Sequence, residues 1–170
     1  MSERICGECT LCCKVMAISA LGKPMGRWCP HCAPGRGCGT YETRPEECRT
    51  FHCLWLSRET LGPEWRPDRA KFVIYGSPER DALIVQVDPG APSAWRRDPY
   101  HPTFRAWSRA AAAERQHLVV MVGEQATVIL PDRDVPLGPV RPGDRILSRR
   151  VVVNGRETIE PRVEKAVAGL

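Results

Sequence analysis

The sequence predicts an α+β protein in which a cysteine-rich, loop-rich metal-binding amino-terminal part precedes an antiparallel sheet with one principal helix. Three observations carry this expectation. All nine cysteines lie between Cys6 and Cys53. Beyond residue 70, strand-sized apolar runs come in pairs separated by turn residues. Between those pairs runs one stretch with apolar residues at helical spacing. The expected division is 1–63 for the cysteine cluster and 64–170 for the α+β region, packed together as one unit.

In the first part, Gly, Pro and Cys interrupt almost every segment, and few apolar runs could form a core unaided. Small regions of that composition usually need a metal to fold. Within it, Thr43, Pro45 and Glu46 make a capping-box pattern with proline in the first turn, which predicts a short helix carrying Cys48. Cys53 would then sit about 140° around that helix from Cys48, so the helix must end or distort if both bind one metal. Residues 64–69, "EWRPDR", form the expected join.

In the second part, 70–76 and 81–89 are expected strands joined by a Gly-Ser-Pro-Glu-Arg turn. Residues 117–123 and 126–132 form a second pair around Glu124 and Gln125. Residues 150–157 contain Asn154-Gly155, a strong two-residue hairpin signal. The helix is expected over 101–116, with Phe104, Trp107 and Ala111 on one face and Pro102 near its start. Residues 93–107 concentrate Trp95, Trp107, Tyr100, Phe104 and three arginines. Such rings either plug the edge of a core or present a stacking surface, and the first is the expectation.

A chain of 170 residues can bury one substantial core. Its amino terminus has no apolar run of signal-peptide type, and no segment is long and apolar enough to span a bilayer. The expected location is therefore cytoplasmic, with no membrane partner. A reducing compartment disfavours a disulfide framework, and an odd number of cysteines would leave one unpaired. The net charge of +5 comes from 25 basic and 20 acidic residues interleaved along the chain. With no basic block, nucleic-acid binding is not predicted. Two four-thiolate zinc sites would lower that charge to about +1.

The candidate metal ligands are Cys6, Cys9, Cys12, Cys13, Cys29, Cys32, Cys38, Cys48 and Cys53. Two-residue spacing lets two thiolates from one tight turn reach the same ion. The run Cys6-x2-Cys9-x2-Cys12 could equally occupy three corners of an iron-sulfur cluster. Thiolate sets suit both. Zinc is favoured over a [4Fe-4S] cluster because Cys29-Pro30-His31-Cys32 resembles a zinc knuckle, with His31 turned to solvent. Cys12 and Cys13, being adjacent, are expected to point in different directions. They would then serve two sites, or one would be a small buried hydrophobe. Arg44 and Arg49 are candidate donors to the thiolates.

These residues resemble the YkgJ-type cysteine-cluster family, a zinc- or iron-chelating domain. Its pattern falls on Cys6, Cys9, Cys12, Cys13, Cys29, Cys38, Tyr41, Arg44, Pro45, Cys48, Arg49 and Phe51. Cys32 lies where that pattern has no ligand, and Thr40 stands where an apolar residue is typical. The resemblance covers residues 6 to about 55 and implies metal chelation without a specific reaction. It also links the chain to flagellin lysine N-methylases, which makes protein modification one alternative function. Against that reading, "GRGCG" (35–39) does not follow a strand as a methyl-donor loop would. Metal storage or delivery is the other alternative, motivated by the surplus of thiols. No catalytic residue is assigned, although Cys48 and His52 would be in mutual reach on a continuous helix. A protein partner would bind through the carboxy-terminal part.

Overall fold

The computed structural model describes residues 4–78 and 81–166. Glu79 and Arg80, the last two residues of the expected turn after 76, lie outside them. The protein is mixed α+β, with few helices and mainly antiparallel strand pairing. Its cysteine-rich part contains helix α1 (Leu11–Val15), the two-residue strands β1 (Cys32–Ala33) and β2 (Gly37–Cys38), and helices α2 (Glu46–Thr50) and α3 (Leu54–Ser57). A further short helix, α4 (Pro67–Ala70), leads into the main sheet.

That sheet has the order β3-β4-β5-β6-β7, formed by Phe72–Ser77, Ala82–Val87, His117–Val122, Gln125–Ile129 and Asp134–Pro139. The expected hairpins are both present: β3 pairs antiparallel with β4, and β5 with β6. The sheet is not antiparallel throughout, because β4 and β5 pair in parallel. The reason is the connection between them. It carries helix α5 (Tyr100–Ala113) across one face of the sheet, so the chain re-enters in the same direction. The Asn154-Gly155 turn closes a separate hairpin of β8 (Arg145–Val153) and β9 (Arg156–Glu164). Both turn residues have positive φ, 50° and 74°, the conformation that Asn-Gly supplies most readily.

Strand alternation sends side chains to two faces. On the first, Phe72, Ile74, Val85, Val87, Leu118 and Val120 pack against Tyr100 and Phe104 of α5 and against Trp65. Trp65 makes edge contacts with Phe72, Tyr100 and Phe104 and stacks on Trp107 at 5.3 Å. The aromatic residues of 93–107 thus largely fill a core. Leu54, Trp55 and Leu61, which precede residue 64, pack into the same cluster.

The second face is shared by two covers. Ile84, Val119, Met121 and Val128 lie beneath Ile146, Ile159 and Val163 of the β8–β9 hairpin. Towards the edge strand, Val73 and Tyr75 lie beneath Leu11, Val15, Phe51 and Cys53 of the cysteine-rich part. An ion pair of 2.6 Å between Lys14 and Asp88 also ties α1 to the end of β4. No helix among the described residues is long and apolar enough to cross a membrane.

Phe104 is fully buried and central to the aromatic cluster. Its replacement by Ala is expected to cost about 3–5 kcal/mol, read from denaturant unfolding. Arg96→Gln, by contrast, removes one half-exposed contact of 3.4 Å to Asp134 and should change stability by less than about 1 kcal/mol.

Candidate metal centre

Eight of the nine cysteines reach one pocket from several short segments, and the local sequence explains how each arrives. Cys6 and Cys9 bracket a tight turn closed by the Cys9 N–H donating to the Cys6 carbonyl at 2.8 Å. Gly7 adopts φ 50° in that turn, a conformation with little penalty only for glycine. Cys29 and Cys32 repeat the arrangement, with the Cys32 N–H donating to the Cys29 carbonyl at 3.0 Å. Cys12 and Cys13 lie on α1, whose Leu11 and Val15 face the sheet. Cys38 pairs in register with Cys32 across the β1–β2 ladder.

Cys48 lies on α2, which begins at Glu46 with Pro45 before it and no side-chain cap. The expected capping box does not form. Instead Glu46 pairs with Arg49 at 2.5 Å, and the neighbouring Glu47 carboxylate accepts from the Ser19 and Ala20 N–H groups. The helix stops at Thr50, and Phe51 is extended. Cys53 then precedes α3 as its N-cap residue, making no side-chain cap, and its carbonyl accepts from the Leu56 N–H at 3.0 Å. The break expected between Cys48 and Cys53 is therefore real. It also takes His52 off the helix, where its Nδ1 meets the Thr50 carbonyl at 2.9 Å.

Cys6, Cys9, Cys12, Cys13, Cys29, Cys38, Cys48 and Cys53 line one pocket of about 250 Å³. Its apolar walls include Met16, Ile18, Phe51 and Val73. The ninth cysteine, Cys32, lies outside this lining but meets Cys13 side chain to side chain. All nine are free thiols. Cys12 and Cys13 both line the pocket, and their thiols interact. Among the described residues, no group of three or more His, Cys, Asp or Glu side chains stands as a ready-made metal site.

Burial is the main cause that raises the pKa of Cys6, Cys9, Cys48 and Cys53 above the usual thiol value, because an apolar wall disfavours the thiolate. Cys32 is pushed up to about 12 by burial and then by Cys13. Cys13 is raised first by its hydrogen bond with Cys12 and then by burial. The mutual influences divide the thiols into two groups. Cys9 and Cys53 raise the pKa of Cys6, and Cys9 that of Cys53, while Cys13, Cys29 and Cys38 raise that of Cys48. Cys13 acts on both.

Two cations that the spacing of cysteines does not announce serve this region. Lys23 is buried, its ammonium donating to the carbonyls of Lys14, Met16 and Pro24. Burial lowers its pKa, and Cys29, Cys13, Cys12 and Cys48 act in the opposite sense. Arg4 donates to the carbonyls of Trp55, Arg58, Glu59 and Leu61, which anchors the strand leading to Cys6 beside α3. Neither could be found from a pattern, since each acts on backbone carbonyls distant in sequence. Of the two arginines singled out, Arg44 lines the pocket, donates to the Tyr41 carbonyl and stacks on its ring, and favours the Cys6 thiolate. Arg49 is turned to Glu46 instead. His31 is exposed, although it borders the pocket. The "GRGCG" stretch forms the turn and second strand of the β1–β2 hairpin.

No family model, no curated protein and no solved structure matches the chain.

The raised thiol pKa values give a direct expectation for the metal-free protein. Alkylation of Cys6, Cys9, Cys48 and Cys53 by iodoacetamide should accelerate only as pH passes above the ordinary thiol value of 9.0, followed residue by residue by mass spectrometry. Half-maximal rates at or below pH 8.5 would contradict the desolvation account.

Proposed function

We propose that this chain is a metal-thiolate protein that chelates zinc through its clustered cysteines; its resemblance to the YkgJ-type family implies chelation of zinc or iron. One observation carries the reading: eight free thiols, spread over 48 residues of sequence, line a single pocket. Random burial of small hydrophobes would not gather them in one place. The residues also fit in chemical type. Thiols suit a soft or borderline cation, the apolar walls keep water away, and Lys23 and Arg44 offset the negative charge that deprotonated sulfurs would bring.

Cys6, Cys9 and Cys53 would hold metal at one end of the pocket, and Cys29, Cys38 and Cys48 at the other. Cys12 and Cys13 lie between them as the shared supply of further ligands. Cys32 serves as a neighbour of Cys13 rather than a ligand. The thiols must close together and shed protons to bind, so affinity rises with pH. Bound zinc would supply a closed crosslink among segments that have few apolar contacts of their own. Backbone N–H groups beside Cys9 and Cys53 favour their thiolates. A [4Fe-4S] cluster is the competing occupant, and its signature differs in the same experiment.

Elemental analysis and an optical spectrum of anaerobically purified protein test the reading. The expected result is a colourless protein with one or two zinc ions per chain, retained in Cys32→Ser and reduced in Cys48→Ser. Broad absorption near 400 nm with about four irons would assign a cluster instead. Absence of both metals would remove the proposal. Metal removal by a chelator should expose amides of residues 6–53 to hydrogen exchange, while β4 and β5, buried in their own core, stay protected.

A further inference from the structure

A second cleft, of about 500 Å³, lies on the far side of the sheet's principal helix, between the end of α5, the start of β5 and strand β8. Its volume falls within the usual range for small-molecule sites. Leu147 and Ile159, both half-buried, give it an apolar wall. Its rim is basic. Arg149 and Arg150 are answered by Glu160 and Glu157 on β9. Arg115 and Arg145 have no ion pair or side-chain hydrogen bond among the described residues, and Asp81 is the one carboxylate in the lining.

Two local features aim polar groups at this space. Arg115 follows the last turn of α5 with φ 59°, a left-handed position that glycine usually occupies. Placing an arginine there costs backbone strain, which sustained function at the side chain would explain. His117, the first residue of β5, meets the Ser148 hydroxyl through its Nε2 at 2.7 Å. Its Nδ1 is buried without a partner, so the Ser148 contact fixes the ring at the cleft wall.

We propose that this cleft binds a small molecule bearing a phosphate group on an apolar body, with Arg115 and Arg145 pairing with the phosphate oxygens and Ser148 donating to them. Two free guanidinium groups match a dianionic head better than a single carboxylate, because each can make paired N–H bonds to two oxygens. The apolar wall of Leu147 and Ile159 accommodates the rest. This assignment is independent of metal binding, since the cleft shares no lining residue with the thiol pocket.

Phenyl phosphate is the probe, titrated into the protein as purified while the His117 ring and Ser148 amide resonances are followed by NMR. Saturable shifts at both positions are expected. Arg115→Gln and Arg145→Gln should each weaken the affinity about tenfold, with far-UV spectra unchanged because both side chains are exposed. Benzoate should bind more weakly than phenyl phosphate. Absence of a saturable shift, or equal affinity in the Arg115→Gln/Arg145→Gln double variant, would overturn the site. Equal binding of benzoate would overturn the phosphate assignment.

Discussion

Strand β3 is buried on both faces, and the two-residue alternation of its side chains joins everything else. Phe72 and Ile74 enter the aromatic cluster under α5, while Val73 enters the cluster formed with Leu11, Val15 and Cys53. Edge strands usually expose one face and a row of unpaired backbone groups. Here the cysteine-rich part lies over the second face, so its short helices borrow from the sheet a core they lack. Val73 is itself part of the pocket wall. A one-residue slip in β3 would move Val73 away from the thiols and Phe72 out of the aromatic cluster together. The position of the sulfurs therefore depends on sheet register as well as on cysteine spacing.

The same burial sets the electrostatics. Burial raises the pKa of Cys6 and Cys48, and ionisation of neighbouring sulfurs would raise each further. Lys23 works against this gradient from inside the fold. Its ammonium stays buried because three carbonyls satisfy it, and it needs no carboxylate partner. Arg4 performs a mechanical task by similar means, fastening Cys6 beside α3 through four carbonyls.

The far side of the sheet uses arginine differently. Along β8 and β9, cross-strand pairs of Arg149 with Glu160 and Arg150 with Glu157 cancel charge on a hairpin whose tip exposes Val152 and Val153. Arg133 then fixes the hairpin to the sheet through the Thr158 hydroxyl and the Ile159 carbonyl. Asp144, accepting from two backbone N–H groups and Lys165, is held down to about 2 and braces the connection into β8. Arg115 and Arg145, which border the second cleft, have no ion pair among the described residues.

The sequence by itself determined the α+β composition, two of the three hairpins of the main sheet, the Asn154-Gly155 turn, helix α5 and the cysteine inventory. Each is written in local periodicity, turn chemistry or residue type. The break between Cys48 and Cys53 was legible only as a condition of both binding one metal; the extended backbone at Phe51 is a feature of the fold. Tertiary structure alone decided the parallel junction of β4 with β5, since no local signal records which strands become neighbours across a crossover. It decided that Cys32, equal to the others in sequence, falls outside the pocket lining, and that Cys12 and Cys13 share the pocket. Lys23 and Arg4 were invisible for the same reason. Their partners are carbonyls, which every residue carries, and only folding selects which carbonyls converge.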